Sequence, residues 1–254
     1  MDLKHILIYP VGITGACSHA AGFLERDGFP LTDHPSPEVT HLMLDVPSFA
    51  ADGSLRNGGR LADILQMLPA GTTVFGGNLN HPALAGYPVV DLLRDDEYLA
   101  KNAAVTAECA LRVAYPLLPT VLPDTPALVI GWGRIGKCLC KLLNALGCPV
   151  TIAARNPADR AMAAALGIAA VDISQIPDIL PGIRLLFNTV PAPILDADIL
   201  DKYIRCVKID LASSPGLKGC DIVCARGLPG QYAPESSGRL IAQTITRHFR
   251  EGSL

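Results

Sequence analysis

The stretch Ala127-Leu-Val-Ile-Gly-Trp-Gly-Arg-Ile-Gly136 decides the fold of this chain. Its first four residues are apolar and uncharged, which predicts a buried strand of a parallel sheet. Gly131, Gly133 and Gly136 then follow with the G-x-G-x-x-G spacing. Beyond them, apolar residues recur at helical intervals from Ile135 to Leu146. The stretch therefore predicts a strand, a tight turn and a helix.

This spacing has a mechanical meaning. Gly131 makes the tight turn, Gly133 lets backbone N–H groups approach a pyrophosphate, and Gly136 lets the helix lie close to the strand. The helix N-terminus adds a partial positive charge for the phosphates. Because the chain has 23 glycines, an ordinary strand-to-helix turn is the alternative. The following strand, predicted at 149–154, arrives at the right distance and favours dinucleotide binding.

The remaining cofactor candidates follow from this placement. Within the turn they are Gly131, Trp132, Gly133, Arg134, Ile135 and Gly136. Ligands of such sheets lie at the carboxyl ends of the strands, where three later segments are also expected. Their candidate residues are Asn188, Thr189, Val190, Pro191, Asp210, Leu211, Ala212, Leu228 and Pro229. Turn chemistry alone is the alternative for each segment.

The end of the second strand indicates which dinucleotide binds. NAD sites carry an acidic residue there to bond the ribose hydroxyls, but this strand ends in Ala154, Arg155 and Asn156. Guanidinium groups bind a 2′-phosphate bidentately, so Arg155, backed by Asn156 and Arg160, favours NADP over NAD. Alternatively, Arg155 is a solvated loop residue and Asn156 a helix N-cap followed by Pro157. NAD stays open.

The chain length and the strand pattern predict two domains. Residues 1–115 form a small α/β N-terminal domain ending in a helix that links the domains, and prolines at 116–126 mark the linker. Residues 116–230 form a doubly wound parallel sheet of the Rossmann type, and residues 231–254 a C-terminal helix packing on the N-terminal domain. Strands are predicted at 5–9, 39–44, 72–75, 89–92, 127–130, 149–154, 168–171, 184–188, 206–211 and 221–225.

Composition excludes several functional classes. Apolar residues make up 50% of the 254 residues and the net charge is −3, without a basic run suited to nucleic acid. The N-terminus reads as the start of a strand rather than a signal peptide, and no apolar stretch of about 18 residues suits a bilayer. The eight cysteines contain no C-x-x-C pair, which favours small buried hydrophobes over disulfides or a metal site. We expect a soluble, cytoplasmic protein.

A family resemblance extends these predictions. From about residue 127 to 250 the chain resembles the family of dipicolinate synthase A subunits, and more distantly the 2-hydroxyacid and shikimate dehydrogenases. Upstream, Asn102–Ala110 resembles the family's Asn-Ala-x-x-Thr-Ala-Glu-Gly-Ala signature, and Phe75-Gly-Gly77 is similar too. The matching segments are 131–136, 154–155, 188–191, 210–216, 227–230 and 233–234.

The resemblance implies a two-domain enzyme with a nicotinamide cofactor, most simply NADP. It implies oxidation of a dihydropyridine dicarboxylate to dipicolinate, the flavoprotein-like B subunit of dipicolinate synthase as partner, and a role in endospore formation. One departure matters: the family's Gly-Gly-Asp-x-Arg turn after the first strand is replaced by 11–17, without the Asp and Arg. Alternatives are therefore a dehydrogenase of another small keto or hydroxy acid, and a non-catalytic nucleotide-binding regulatory protein.

Candidates for contact with the substrate come from the first domain and the linking helix. They are His81, His19, Asn102, Thr106 and Glu108. Asn102 and Thr106 are suited to bonding a carboxylate at a cleft between the domains, and His81 or His19 to accepting a proton. A lone histidine more often serves packing, so the base stays unassigned. The alanine-rich linking helix is compatible with a homodimer.

Overall fold

The structure, a computed structural model, describes residues 5–11, 15–56 and 59–252. The chain forms two compact units, each with a parallel sheet of its own. One unit comprises the residues up to Asn102 together with those from Pro229 onward, and the other comprises Ala103–Leu228. The predicted fold class is confirmed, since both units are α/β structures built on parallel strands.

The chain up to Ala114 supplies the first sheet and the helices beside it. In chain order the elements are β1 (Ile8–Pro10), α1 (Ala16–Arg26), β2 (His41–Met43), α2 (Leu61–Gln66), β3 (Thr73–Gly76), β4 (Val89–Asp91) and α3 (Asp96–Ala114). The strands pair in the order β1-β2-β3-β4, and all of them are parallel.

The rest of the chain contains the strands of the second sheet, the helices between them and the C-terminal helix. Its elements are β5 (Ala127–Ile130), α4 (Arg134–Ala145), β6 (Val150–Ala153), α5 (Pro157–Ala165), β7 (Ala169–Val171), α6 (Ile176–Ile179), β8 (Leu185–Asn188), α7 (Ala197–Leu200), β9 (Val207–Asp210), β10 (Ile222–Cys224), α8 (Leu228–Tyr232) and α9 (Pro234–Arg250). Each of the ten segments predicted as strands overlaps an observed strand.

The strand order of the second sheet, β10-β9-β8-β5-β6-β7, positions the candidate site. β5 pairs in parallel with β6 on one side and with β8 on the other, and all four of its residues are fully buried. Burial on both faces explains why this strand is a continuous apolar run. The chain reverses its direction of winding between β5 and β8, which makes their carboxyl ends the topological switch point of the sheet.

In the first unit, α9 packs directly on α1. A Cβ atom at Gly238 would overlap the Ala16 carbonyl oxygen and the His19 Cβ atom, so the two helices approach as closely as glycine allows. The guanidinium of Arg247 adds ion pairs to Asp95 and, at 2.8 Å, to Glu97. These contacts fix the C-terminal helix within the first unit.

The units divide at a different place from the division drawn on the sequence. The structure divides them within α3, after Asn102, whereas the proline-rich segment placed the division after Tyr115. The reason is that α3 is one unbroken helix that contributes residues to both units. Residues 12–14 of the first glycine turn, which the sequence analysis names, lie outside the described residues.

The cysteines follow the expectation only in part. All eight are free, and burial raises the pKa of Cys17 and of Cys140 to about 12, as expected of inert packing groups. Cys220 and Cys224, however, are exposed. Cys224 ends β10, the edge strand of the sheet, and Cys220 lies just before it, where burial is incomplete. Across the described ranges, no helix has the length and hydropathy needed to cross a membrane.

His41 is an ionisable group inside an aromatic cluster. Its ring stacks on Phe75 at a centroid distance of 5.7 Å and meets Phe249 edge-on at 4.8 Å. Its Nδ1 atom lies 2.7 Å from the Thr40 hydroxyl. Burial lowers the pKa of His41 to about 4, because the charged imidazolium loses its hydration there.

We expect this histidine to make the stability of the first unit depend on pH. Between its unfolded pKa of about 6.5 and its folded pKa of about 4, the unfolded chain binds a proton that the folded chain does not. Stability should therefore fall as the pH is lowered through this window, by up to about 3 kcal/mol. Urea unfolding of the wild type and of His41→Gln at several pH values measures the effect.

The matched control is His34→Gln, since the His34 side chain is exposed and pairs with Asp33 on the surface. The His41→Gln curve should be flatter against pH than the other two. Equal loss of stability in all three proteins on acidification would contradict the assignment.

Candidate nucleotide-binding site

The glycine turn after β5 has the geometry that the motif requires. Gly131 has φ +101°, a conformation in which a side chain would be strained. A Cβ atom at this position would lie 2.5 Å from the Thr189 hydroxyl oxygen and 2.8 Å from a methyl carbon of Val190. Glycine is therefore required both by the turn and by the neighbouring loop after β8.

The other two glycines of the motif differ from each other. A Cβ atom at Gly136 would overlap the carbonyl oxygen of Gly131, so α4 lies against the turn with no room for a side chain. A Cβ atom at Gly133 would meet nothing within 4 Å. Gly136 thus serves packing, whereas Gly133 borders open space of the kind that an approaching phosphate needs.

The start of α4 lacks the cap that the start of α5 has. Gly133 is the N-cap residue of α4 and forms no side-chain cap hydrogen bond to the first turn. At α5, in contrast, the Asn156 side chain accepts from the Ala158 N–H at 3.0 Å, with Pro157 as the first helical residue. Uncapped N–H groups together with the helix dipole make the head of α4 suitable for an anion.

Trp132 contributes a buried donor to the turn. The side chain is 7% exposed, and its indole N–H has no hydrogen-bond partner within the described part of the chain. The Lys137 ammonium lies 5.9 Å from the centre of its ring. A buried N–H without an acceptor is costly, so the turn contains a donor that is satisfied only by a group from outside the chain or by water.

Two arginines that follow the end of β6 differ in their hydrogen bonding. Arg155 is exposed, and its guanidinium has no hydrogen bond or ion pair to any residue that the structure describes. Arg160 is fixed, because its Nη1 donates to the carbonyls of Ala154 and Arg155 and to the Asp172 carboxylate at 2.6–2.7 Å. The capping role of Asn156 is confirmed. Arg155 alone of the three is free to meet a ligand.

Asn188 and Asp210, predicted next to the cofactor, are engaged within the protein. Asn188 is fully buried, and its amide donates to the Asp210 carboxylate at 2.9 Å. The same carboxylate accepts three backbone N–H groups, those of Ala212, Gly216 and Leu217. Four donors saturate a buried charge that would otherwise be unfavourable. These two side chains therefore shape the loops after β8 and β9.

The loop after β8 presents a partly exposed surface. The Asn188 amide also brackets Val190, donating to its carbonyl and accepting from its N–H, and the Thr189 hydroxyl donates to the Ile130 carbonyl at 2.8 Å. Thr189 and Val190 are partly exposed and Pro191 is exposed. Further along, four of the predicted cofactor residues are buried: Leu211, Ala212, Leu228 and Pro229.

The two histidine candidates have different surroundings. His81 caps the N-terminus of a short 3-10 helix, Pro82–Leu84, because its Nδ1 atom accepts a hydrogen bond from the Ala83 N–H at 3.2 Å. Its ring stacks on Phe49 at a centroid distance of 4.5 Å. These contacts leave Nε2 as the ring atom that is not engaged in capping. His19 lies on α1 and is exposed.

The three candidates on α3 do not lie on one face. Asn102 and Thr106 are four residues apart and therefore share a face, Asn102 partly exposed and Thr106 buried. Glu108 is exposed and lies on the opposite side of the helix from Thr106. Among the residues that the structure describes, no group of three His, Cys, Asp or Glu side chains could hold a metal ion.

Comparison with known proteins gives one curated relative and several structures of the same fold. No protein-family model matches the chain. Over 203 residues, which are 74% of the chain and 68% of the relative, it is 27% identical to the A subunit of dipicolinate synthase from Bacillus subtilis strain 168. The chain resembles the A subunits of dipicolinate synthase.

The solved structures show the same fold. The crystal structure of the dipicolinate synthase A subunit from Bacillus halodurans superimposes with a TM-score of 0.86 at 21% identity, covering 96% of this chain and 98% of the other. A D-isomer specific 2-hydroxyacid dehydrogenase from Xanthobacter autotrophicus Py2 gives a TM-score of 0.54 at 13% identity, with 97% of both chains covered. The predicted resemblance to the first family, and more distantly to the 2-hydroxyacid dehydrogenases, is confirmed.

The contrast between the two glycines gives a stability test. Gly136→Ala should lower the free energy of unfolding by roughly 1–3 kcal/mol, because the new methyl group forces α4 away from the turn. Gly133→Ala should lower it less, by at most about 1 kcal/mol, since that position is open and its φ is negative, and only the lower N-cap preference of alanine counts against it. Gly182→Ala is the control, because a methyl group there also meets nothing within 4 Å. Equal effects at 133 and 136 would show that the turn is packed differently.

Proposed function

We propose that this protein is an NADP-dependent oxidoreductase of the same type as the dipicolinate synthase A subunits, which oxidises a dihydrodipicolinate-type dicarboxylate to dipicolinate. The observation that carries the proposal is the open space beside Gly133, at the uncapped head of α4 and at the switch point of the sheet. The sequence similarity to one component of dipicolinate synthase supports the choice of reaction.

The residues of the turn fit a dinucleotide. In the proposal, backbone N–H groups at the head of α4 hold the pyrophosphate, and Gly133 leaves room for it. Thr189, Val190 and Pro191 line the nicotinamide ribose, held in place by the buried amide of Asn188. The unpartnered indole N–H of Trp132 is a further donor in the same turn.

The choice of NADP over NAD depends on Arg155. Its guanidinium is exposed and unengaged among the described residues, and no carboxylate stands in the sequence from Ala154 to Pro157. A guanidinium binds a phosphate bidentately, whereas the ribose hydroxyls of NAD are usually held by an acidic side chain. Arg160 supports this residue indirectly, because it bonds the Arg155 carbonyl and so fixes the backbone there.

The chemistry divides between the cofactor and the chain. When bound, the nicotinamide supplies the hydride acceptor. The chain's share is to orient the substrate and to take one proton from the dihydropyridine ring, which becomes aromatic. Asn102 and Thr106, which share one face of α3, are the proposed carboxylate-binding pair. His81 Nε2, His19 and Glu108 remain the candidate proton acceptors.

The proposal extends to the partner and the compartment. The relative is one of the subunits of dipicolinate synthase, so we include a flavoprotein-like B subunit as partner, and homodimerisation as a further assembly. The eight free cysteines suit a reducing compartment, which supports the cytoplasm. The proposed role in endospore formation rests on the family resemblance alone.

Cofactor preference can be measured through Trp132, the single tryptophan of the sequence. A reduced nicotinamide near the turn should quench its emission by energy transfer, so titrations with NADPH and NADH give both dissociation constants. Arg155→Gln should weaken NADPH about ten-fold or more, through loss of the bonds to the 2′-phosphate, and leave NADH nearly unchanged.

Two variants control this titration. Arg250→Gln removes the same charge from an exposed position at the end of α9 and should change neither constant. Gly133→Val fills the open space beside the turn and should weaken both nucleotides together. If Arg155→Gln weakened NADH as much as NADPH, the guanidinium would not be reading the 2′-phosphate.

The reaction itself is tested by product analysis. Purified protein with NADP+ and dihydrodipicolinate, alone and with the B subunit of a relative, should form one dipicolinate per NADPH, as followed by absorbance and mass spectrometry. Turnover of a keto or hydroxy acid instead would favour the second enzyme hypothesis. Tight NADPH binding without any turnover, even with the partner present, would favour a regulatory role.

A further inference from the structure

The amino ends of the strands in the second unit border an open cavity of about 870 Å³. Three of its lining residues each stand just before a strand: Arg184 before β8, Cys206 before β9 and Asp221 before β10. The glycine turn follows the carboxyl end of β5. Because all strands of this sheet are parallel, the cavity at their amino ends and the turn at their carboxyl ends lie on opposite sides of the sheet. It is therefore separate from the proposed nucleotide site.

The least exposed residue of the cavity is a lysine. Lys208, on β9, is 1% exposed, and its ammonium has one hydrogen bond among the described residues, to the Cys220 carbonyl at 3.5 Å. An ammonium carries three donors, and a charge removed from water is unfavourable unless it is paired. Within the described part of the chain, Lys208 forms no ion pair.

Two further cations line the same cavity. Arg184 and Arg205 are both exposed, and neither forms an ion pair with a described residue. The Arg184 Nη1 reaches carbonyls of its own loop at 3.3 and 3.5 Å. Asp124 and Asp221 also line the cavity and are exposed, which leaves a lining with three cations and two anions. The buried charge is positive, and both carboxylates are solvated.

The cavity also has an apolar wall. Ile204 is 80% exposed and Leu117 is 44% exposed, so both present apolar surface beside the cavity. A bare inorganic ion would leave this wall in contact with water. A ligand with both an anionic group and an apolar body would cover it.

We propose that this cavity binds a small organic anion, with a carboxylate or phosphate group placed over Lys208, Arg184 and Arg205 and its apolar part against Leu117 and Ile204. The guanidinium groups provide planar, paired donors for the anionic group, and Lys208 supplies the buried charge. The ligand would satisfy the donors that the chain leaves unmet. No step of the proposed reaction uses this site.

The test compares Lys208→Met with Lys202→Met by isothermal titration calorimetry. The first substitution removes the buried charge and keeps the length of the side chain. The second makes the same change at an exposed lysine that does not line the cavity. The probes are pyridine-2,6-dicarboxylate and inorganic phosphate, in buffers matched for ionic strength with chloride.

We expect at least one probe to bind the wild type and Lys202→Met equally, and Lys208→Met at least about ten-fold more weakly. Binding of the dicarboxylate alone would assign the site to carboxylates, and binding of both probes to oxyanions in general. No binding to the wild type, or binding that is the same in Lys208→Met, would overturn the proposal. Equal loss in both lysine variants would also overturn it, because the effect would then be one of net charge.

If Lys208→Met does not fold, as judged by circular dichroism, Arg205→Gln takes its place. Arg205 is exposed, so its replacement should not disturb the fold, and the bound probe should dissociate several times more readily. Unchanged affinity in Arg205→Gln would then count against the site.

Discussion

The close approach of α4 to the glycine turn is the constraint on which the rest of the second unit depends. Gly136 leaves no space for a Cβ atom beside the Gly131 carbonyl, so the helix starts directly over the end of β5. The Thr189 hydroxyl closes the same corner from the other side, through its bond to the Ile130 carbonyl. Helix, turn and neighbouring loop are thereby fixed together at the N-terminus of α4, where the N-cap Gly133 provides no side-chain cap.

Buried polar groups hold the loops after β8 and β9 in place beside the glycine turn. The Asp210 carboxylate gathers the Asn188 amide and three backbone N–H groups, which connects the ends of β8 and β9. Gly216 completes the arrangement, because a Cβ atom there would overlap the Asn188 amide. A full set of hydrogen bonds makes a buried network rigid, whereas a half-satisfied one would be unfavourable. The loop from Thr189 to Pro191 is thus positioned by residues that do not themselves meet solvent.

Local pattern predicted the elements well. The apolar run of β5, the glycine spacing and the Asn156-Pro157 cap each depend on residues near in sequence, and the structure has them as expected. The roles that local pattern missed depend on strand order. Arg160 meets Asp172, and Asn188 meets Asp210, because β6 adjoins β7 and β8 adjoins β9. The spacing rule places Asn188 and Asp210 at the carboxyl ends of the strands, but it does not identify the hydrogen-bond partner of each side chain.

β9 carries two buried charged residues that differ in the number of hydrogen bonds they form with the rest of the chain. Lys208 and Asp210 are two residues apart and therefore project from the same face of the strand, one near each end of it. Asp210 receives four hydrogen bonds from the chain, and Lys208 makes one long bond to a carbonyl. If the fold left buried charged groups without hydrogen-bond partners in general, Asp210 should have as few hydrogen bonds as Lys208. The saturated carboxylate instead shows that the fold can meet the full hydrogen-bonding demand of a buried ion from its own backbone. The proposed ligand would supply the acceptors that the Lys208 ammonium lacks within the described part of the chain.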